Sequence, residues 1–556
     1  MRNIQVSLKR ADNMDYVKLA DLLFPNIDKT PEYYEQLFPK RDLPEKAEVL
    51  RMAPSPTGFI HLGNLYGALA DERVAHQSNG VFFLRIEDTD LKRKVEGAVE
   101  TILSTFKYFN INYDEGAEIG GNYGPYYQRQ RAEIYQCFAK KLVQEGKAYP
   151  CFCTEEELNA IREQQTRLNE GTGYYGKWAL WRDAPIEKVE EKLKEGVPFV
   201  IRMKSMGNQE IKHTFHDEIK GDIVVVENNM DAVLLKTDGI PTYHFAHAID
   251  DHFMRTTIVL RGEEWLGTLN IHLELFDMLG FELPKFAHTT VLMKIDETGT
   301  KRKLSKRKDP ELSLDYYRSL GYHPYAVKIY LMTILNWNFE QWYLKNPGKP
   351  IEEFKFSLDK MGQSGALFDL DKLNNICKTY LASFSLEQMK DFLKDFVKTY
   401  HSDLYDVYFG NEETMNKILT LGMGLNLKKR RKDYINASQI LESISFYFDE
   451  TFRREDEFKY DKQQVDEILN MFMESYDYND DNGVWFEKVK EIAEKCGFTS
   501  DMKAYKENPE NFKGSVADVA ETIRVAVVGR RNSPDLWSIM QIMGAERSLN
   551  RIKEVL

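Results

Sequence analysis

A multidomain α/β protein with a helical C-terminal half is the fold class this sequence predicts, on three observations. An apolar stretch at 49–53 leads through a Pro/Gly loop and a helical segment to a second apolar stretch at 81–86 that ends in acids, the strand–helix–strand layout of a doubly wound nucleotide-binding sheet. That alternation breaks off between about 115 and 240, where charged helical stretches and short strands indicate an inserted domain. From about residue 310 onward the apolar spacing is almost wholly helical.

The elements follow in order. Residues 1–46 form an extension with helical patterning, then a lead punctuated by Pro25, Pro31, Pro39 and Pro44. Residues 49–53 read as a buried strand and 54–58 as a tight loop; Leu62, Leu65 and Leu69 then share one face of a helix. Residues 81–86 form the second strand, and strand patterns return at 258–260 and 289–293 to complete the sheet. The expected domains are an extension (1–46), the first half of the nucleotide-binding domain (47–114), the insertion (115–240), the second half (241–296), a domain that carries the KLSKR loop (297–372) and a helical remainder (373–556). At 556 residues the chain exceeds what one core can organise.

Composition narrows the class. An apolar share of 42% supplies ample core, and no stretch of eighteen apolar residues or secretory leader interrupts the pattern. Five cysteines, an odd number, fit reduced thiols and a cytoplasmic protein. A net charge of -13 argues against a bulk nucleic-acid coat but not against local basic patches, of which residues 301–308 carry six cations and 428–432 five in a row.

Two short segments carry the chemistry. In PSPTGFIHLGN (54–64), Pro54, Pro56, Thr57 and Gly58 shape a turn that lets backbone approach a phosphate. His61 and Asn64 fall where a helix begins, so its N–H groups and dipole favour an anion. In KLSKR (303–307), Lys303, Lys306 and Arg307 put three cations within five residues, with Ser305 as a hydroxyl between them. A basic pentapeptide by itself is usually a solvated surface; a mobile lysine loop opposite a fixed histidine loop is a device for nucleotidyl transfer.

Together the segments resemble the HIGH and KMSKS signatures of class I aminoacyl-tRNA synthetases. The flanks APSPTG, RIEDTD (85–90), DGIPTYHFA (238–246), RGEEW (261–265) and KLSKRK closely resemble glutamyl-tRNA synthetases of the bacterial type, over about 49–371. A weaker resemblance continues to SPDLWSIMQIMG (533–544), which looks like that family's anticodon-binding region.

The resemblance implies a Rossmann-type catalytic domain with an inserted acceptor-stem-binding domain, then helical stem-contact and anticodon-binding domains. It implies ligation of L-glutamate to tRNA(Glu) through glutamyl-adenylate, with ATP and Mg²⁺, by an enzyme expected to be a monomer and to need tRNA before activating glutamate. His61, Lys303 and Lys306 are the expected catalytic residues. ATP is expected on Pro54, Ser55, Pro56, Thr57, Gly58, His61, Gly63, Asn64, Leu304, Ser305, Lys306 and Arg307.

Glutamate needs one anion and two cations, and Glu87 suits its ammonium while Arg51 and Arg261 suit its carboxylates, Arg261 that of the side chain. Tyr243 and Ser55 add hydroxyls, and His247, where many family members have Asn, is carried as a further binder. Lys428, Lys429, Arg430, Arg431, Arg524, Arg530 and Arg531 are candidates for tRNA phosphate contact. Use of tRNA(Gln) as well stays open. A zinc site is not expected: Cys151 and Cys153 stand where some relatives begin one, but Trp178 falls where a further thiolate would be needed, leaving Tyr174 as an odd ligand. A catalytically dead scaffold would not need His61, Lys303 and Lys306, and a small nucleotidyltransferase would not need the helical half.

Overall fold

The computed structural model describes residues 15–58, 60–305 and 307–556. It forms two compact units, the first running to Tyr316 and resuming over Lys328–Asp369, the second made of Tyr317–Val327 and Leu370–Leu556.

The first unit opens with helices α1 (Tyr16–Leu23) and α2 (Pro31–Leu37). Asp15 caps α1 by accepting from the Lys18 N–H at 3.0 Å, and Pro31 starts α2 where its missing N–H costs nothing. Strand β1 (Val49–Met52) leads through the 54–61 loop into α3 (Leu62–Gln77), and β2 (Val81–Leu84) returns parallel to β1, Val49 opposite Val81. Leu62, Leu65 and Leu69 are fully buried, as their spacing predicts. Gly80 is required at the end of this crossover, because a Cβ there would lie 1.9 Å from the Glu48 carbonyl oxygen.

After α4 (Ala98–Tyr108), the two-residue strand β3 (Glu115–Gly116) pairs parallel with β2, so the first residues assigned to the insertion belong to the nucleotide-binding sheet. The insertion then contributes α5 (Ala132–Gln144), β4 (Ala148–Cys151), α6 (Glu155–Arg167), α7 (Ile186–Lys194) and β5 (Val200–Met203). The hairpin β6 (Lys212–Asp217) and β7 (Gly221–Val226) and the strand β8 (Val233–Leu235) complete it, β5 lying antiparallel between β4 and β8.

The chain re-enters the main sheet through α8 (Tyr243–Phe253), β9 (Ile258–Gly262), α9 (Leu269–Leu279) and β10 (Lys285–Thr289), with β10 parallel to β9. The Thr257 N–H donates to the Val49 carbonyl at 2.9 Å and the Val49 N–H to Thr257 Oγ1 at 2.8 Å, which sets β9 beside β1. The two sheets, β1–β2–β3 and β10–β9, thus meet with β9 next to β1, and the order of the strands switches there, the place where open α/β sheets leave a crevice at their carboxyl ends.

One strand expectation is corrected. Residues 289–293 straddle two strands: the sheet is completed by β10, and β11 (Leu292–Ile295) turns back to pair antiparallel with β12 (Lys301–Lys303) and parallel with β13 (Ala366–Leu367). Thr289, Thr290 and Val291 look like one β-branched run with their neighbours, and periodicity does not register the bend.

The second unit is helical, with segments such as Leu386–Tyr400, Lys462–Ser475, Asn482–Lys495, Val516–Val528 and Leu536–Met543 around a core that includes Leu393, Ile468, Val489, Ile523 and Ile539. Ser385, Asp461, Asp481 and Asp535 cap four of them through their side chains. Among the described residues no helix is long and apolar enough to cross a membrane.

Candidate active site

A cleft of about 1320 Å³ opens at the carboxyl ends of β1 and β9. Of the sequence-predicted residues it gathers Arg51, Pro54, Ser55, Thr57, His61, Gly63, Asn64, Glu87, Tyr243, Arg261, Lys303 and Leu304. Pro56, Gly58, Ser305 and Arg307 flank that set without lining it, and Lys306 lies outside the described residues.

The histidine loop is built by the helix it precedes. His61 is the N-cap of α3, its N–H donating to Asn64 Oδ1 at 3.0 Å, so Asn64 orients the loop through the capping position. Gly63 leaves the imidazole its space: a Cβ there would stand 3.0 Å from Cε1 and 3.1 Å from Nδ1 of His61. The Glu87 N–H donates to the Pro54 carbonyl at 3.0 Å and the Val95 N–H to that of Pro56 at 2.9 Å, pinning the loop to the segment after β2.

The lysine loop is closed by a residue that sequence reading passed over. Asp309 takes Arg302 in two bonds of 2.7 Å and the Ser305 N–H at 2.8 Å, with Lys294 Nζ at 3.3 Å. The Arg302 bond, the largest influence, holds its carboxyl well below the usual carboxylate range against partial burial. A basic run followed within a few residues by an aspartate was the available signal.

Beneath the cleft lies a buried charge network. Asp251 accepts from Arg51 Nε at 3.0 Å and Arg85 Nη1 at 2.8 Å, and Glu87 from Arg85 Nη2 at 3.0 Å. Asp250 accepts from Arg131 Nε at 2.6 Å, Gln128 at 2.9 Å and the Tyr135 hydroxyl at 2.8 Å. Burial would raise Asp251, but Arg51 and Arg85 outweigh it and hold it well below its ordinary value. At Glu87 burial prevails over Arg85 and Arg51, and its carboxyl is raised. An incoming ammonium would lower it again.

His247 is fully buried, with Nδ1 2.5 Å from Asp251, and its ring lies parallel to that of Tyr243. It therefore stands behind Tyr243 rather than on the cleft wall. Trp265, also on the wall, packs against Tyr243, their ring centroids 4.2 Å apart. Arg261 is 7% exposed and makes no ion pair with a carboxylate among the described residues.

The basic candidates of the second unit separate into two kinds. Arg430 donates to the Ala382 and Phe384 carbonyls, Arg431 pairs with Asp433 at 2.7 Å, and Arg530 binds the Glu442 carbonyl at 2.9 Å and Glu455 at 2.5 Å. Arg524 donates to the Arg531 carbonyl, and Arg531 to that of Glu457. Those arginines hold loops together, whereas Lys428 and Lys429 are exposed. At Cys151 and Cys153 both sulfurs sit 3.4 Å from the Tyr174 hydroxyl, and Trp178 Nε1 donates to Glu170 at 2.8 Å. Among the described residues no three His, Cys, Asp or Glu side chains are grouped to hold a metal.

Comparison with known proteins identifies the family. The family model for class I tRNA synthetases (E and Q), catalytic domain, matches residues 48–373, and that for an anticodon binding domain matches 387–556. A glutamate--tRNA ligase of Acetivibrio thermocellus is 56% identical over 98% of this chain and 100% of its own length. One from Clostridium perfringens is 46% identical over 98% of this chain and 100% of its own. A crystal structure of a glutamate tRNA ligase from Elizabethkingia meningosepticum, in complex with its amino acid, superposes with a TM-score of 0.70 at 30% identity, covering 92% of this chain and 99% of that one.

Proposed function

The chain belongs to the class I tRNA synthetases for glutamate and glutamine, and from that premise we propose how its cleft ligates glutamate to tRNA at the expense of ATP. One observation carries the reading: a single cleft presents Glu87, an anion matched to an ammonium, together with Arg261, a buried guanidinium with no carboxylate partner among the described residues.

Glutamate enters with its ammonium on Glu87, its side-chain carboxylate on Arg261 and its α-carboxylate toward the histidine loop, where Arg51, Ser55 and the Tyr243 hydroxyl complete the surround. ATP, as its magnesium complex, lies across the 54–64 loop. The α-carboxylate attacks the α-phosphate, and the charge that grows on the departing pyrophosphate is met by His61, the N-terminus of α3 and the lysines of the 303–307 loop. Glutamyl-adenylate results. The 2′-hydroxyl of the terminal tRNA ribose then takes the acyl group and releases AMP. The insertion holds the acceptor stem, residues 297–372 contact the stem, and residues 373–556 bind the anticodon of tRNA(Glu), all in one chain acting as a monomer.

Charging purified glutamate and glutamine tRNAs with labelled glutamate, ATP and Mg²⁺ tests the reading. Product on the first alone marks a discriminating enzyme, and product on both a relaxed one. Product on neither refutes the assignment.

A further inference from the structure

Arg261 is held by neutral rings instead of carboxylates. Its Nε donates to Nε2 of His288 at 3.0 Å and its Nη1 to Nδ1 of His272 at 2.9 Å, while Nη2 has no carboxylate partner among the described residues and the Tyr243 hydroxyl lies beside the guanidinium. A guanidinium can only donate, so each imidazole must offer a lone pair there. His288 then carries its proton on Nδ1, 2.6 Å from Asp217 Oδ2, and His272 carries its own on Nε2, 2.8 Å from His244 Nδ1. The result is a chain of donations running outward from Arg261, through His288 to Asp217 and through His272 to His244, in which all three histidines are neutral with set tautomers. His272 and His288 are fully buried.

We propose that His272 and His288 are positioning residues for substrate selection: they set the plane of the Arg261 guanidinium without cancelling its charge, reserving the remaining edge for a substrate carboxylate. This rests on the reading that Arg261 receives the side-chain carboxylate of glutamate. A carboxylate partner in the protein would have neutralised Arg261, and an amide could then have entered at little loss. Imidazole acceptors leave a desolvated cation that glutamine cannot satisfy.

The surroundings keep the rings neutral. Burial, then Arg261, brings His244 down to about 4; burial, then His247 and Arg261, brings His272 well below its ordinary value. Burial lowers His288 although Asp217 opposes it, with Arg261 and Lys220 adding to the fall. The other charged or titratable groups facing Arg261 are Arg51 from β1 and Tyr243, His247 and Asp251 from α8. Protonating any ring would remove an acceptor and set a second cation beside Arg261. With folded pKa values below the ordinary 6.5, the rings stay neutral down through 6.5, and glutamate affinity is lost only on further acidification.

The test is steady-state aminoacylation by the full chain with its tRNA, recording the KM for glutamate, kcat, the KM for ATP and inhibition by glutamine. His272→Leu should raise the KM for glutamate about ten-fold, the worth of one bond to a charged donor, with the KM for ATP little changed. Its preference for glutamate over glutamine should fall. His272→Asn, whose Oδ1 takes the place of Nδ1, and His288→Gln, whose amide oxygen can take the place of Nε2, should restore most of the affinity. Equal losses in His272→Leu and His272→Asn, or none in either, overturn the proposal. If Arg261→Leu loses the preference for glutamate while His272→Leu keeps it, only the present inference fails; if Arg261→Leu keeps it, the underlying reading fails. Should His272→Leu not fold, the wild-type profile decides: a KM for glutamate flat from pH 8 to 6.5 supports the neutral rings, and one climbing with a midpoint at or above 6.5 overturns them.

Discussion

Individual side chains set the chemistry through small clearances. Gly63 lies under the His61 ring, and a methyl group at 3.0 Å from Cε1 would push the imidazole away from the helix N-terminus. Gly63→Ala should therefore lower kcat by about ten- to a hundred-fold, as expected for a misplaced donor, with the KM for glutamate little changed. The partition between kcat and KM checks it. Asp309 acts likewise on the opposite loop, and Asp309→Asn, which keeps size but removes the charge that gathers Arg302 and Lys294, should slow adenylate formation in single-turnover assays. Neither substitution should alter the helical unit.

Among the secondary-structure elements, α8 is the one that joins recognition to the scaffold. It carries Tyr243 and His247 near its start and Asp250 and Asp251 near its end, where the N-terminal extension grips it. Glu35 lies 2.6 Å from His252 and 2.9 Å from Arg255, and Arg41 reaches the Met254 carbonyl at 3.1 Å while binding Glu115 in two bonds of 2.8 Å. The extension is thus a brace between α8 and β3. Arg41→Ala leaves a largely buried carboxylate and should cost about 3 kcal/mol in a denaturant melt. At Glu115 burial works to raise the pKa, but Arg41 and Tyr126 prevail and lower it. The contribution is thus present at neutral pH and disappears as the pH falls through that lowered value.

For the whole molecule, the net charge of -13 means that tRNA must be held by patches rather than by an overall field. Lys428 and Lys429 are exposed, whereas Arg530 is tied to Glu442 and Glu455. The double substitution Lys428→Ala/Lys429→Ala should raise the KM for tRNA several-fold and flatten its salt dependence by about one to two counterions, with kcat and thermal stability unchanged. Arg530→Ala should show the converse, a lowered melting temperature. Salt titrations of the KM for tRNA beside melting curves separate the two.

The chain by itself determined the strand–helix–strand core and the helical second half, because buried strands and amphipathic helices have local signatures in residue type and spacing, while the expected roles of His61, Ser55, Glu87, Arg261 and Lys303 came from the resemblance of their motifs to a known family. Tertiary structure alone decided what surrounds them. Asp251 lies 200 residues from the Arg51 it binds, and Asp217 lies 71 from His288. His247, next to the site in sequence pattern, went behind Tyr243, and the run through 289–293 bent into two strands. Partners for buried charges are set by how elements pack, and packing brings together residues whose separation along the chain carries no periodic signal.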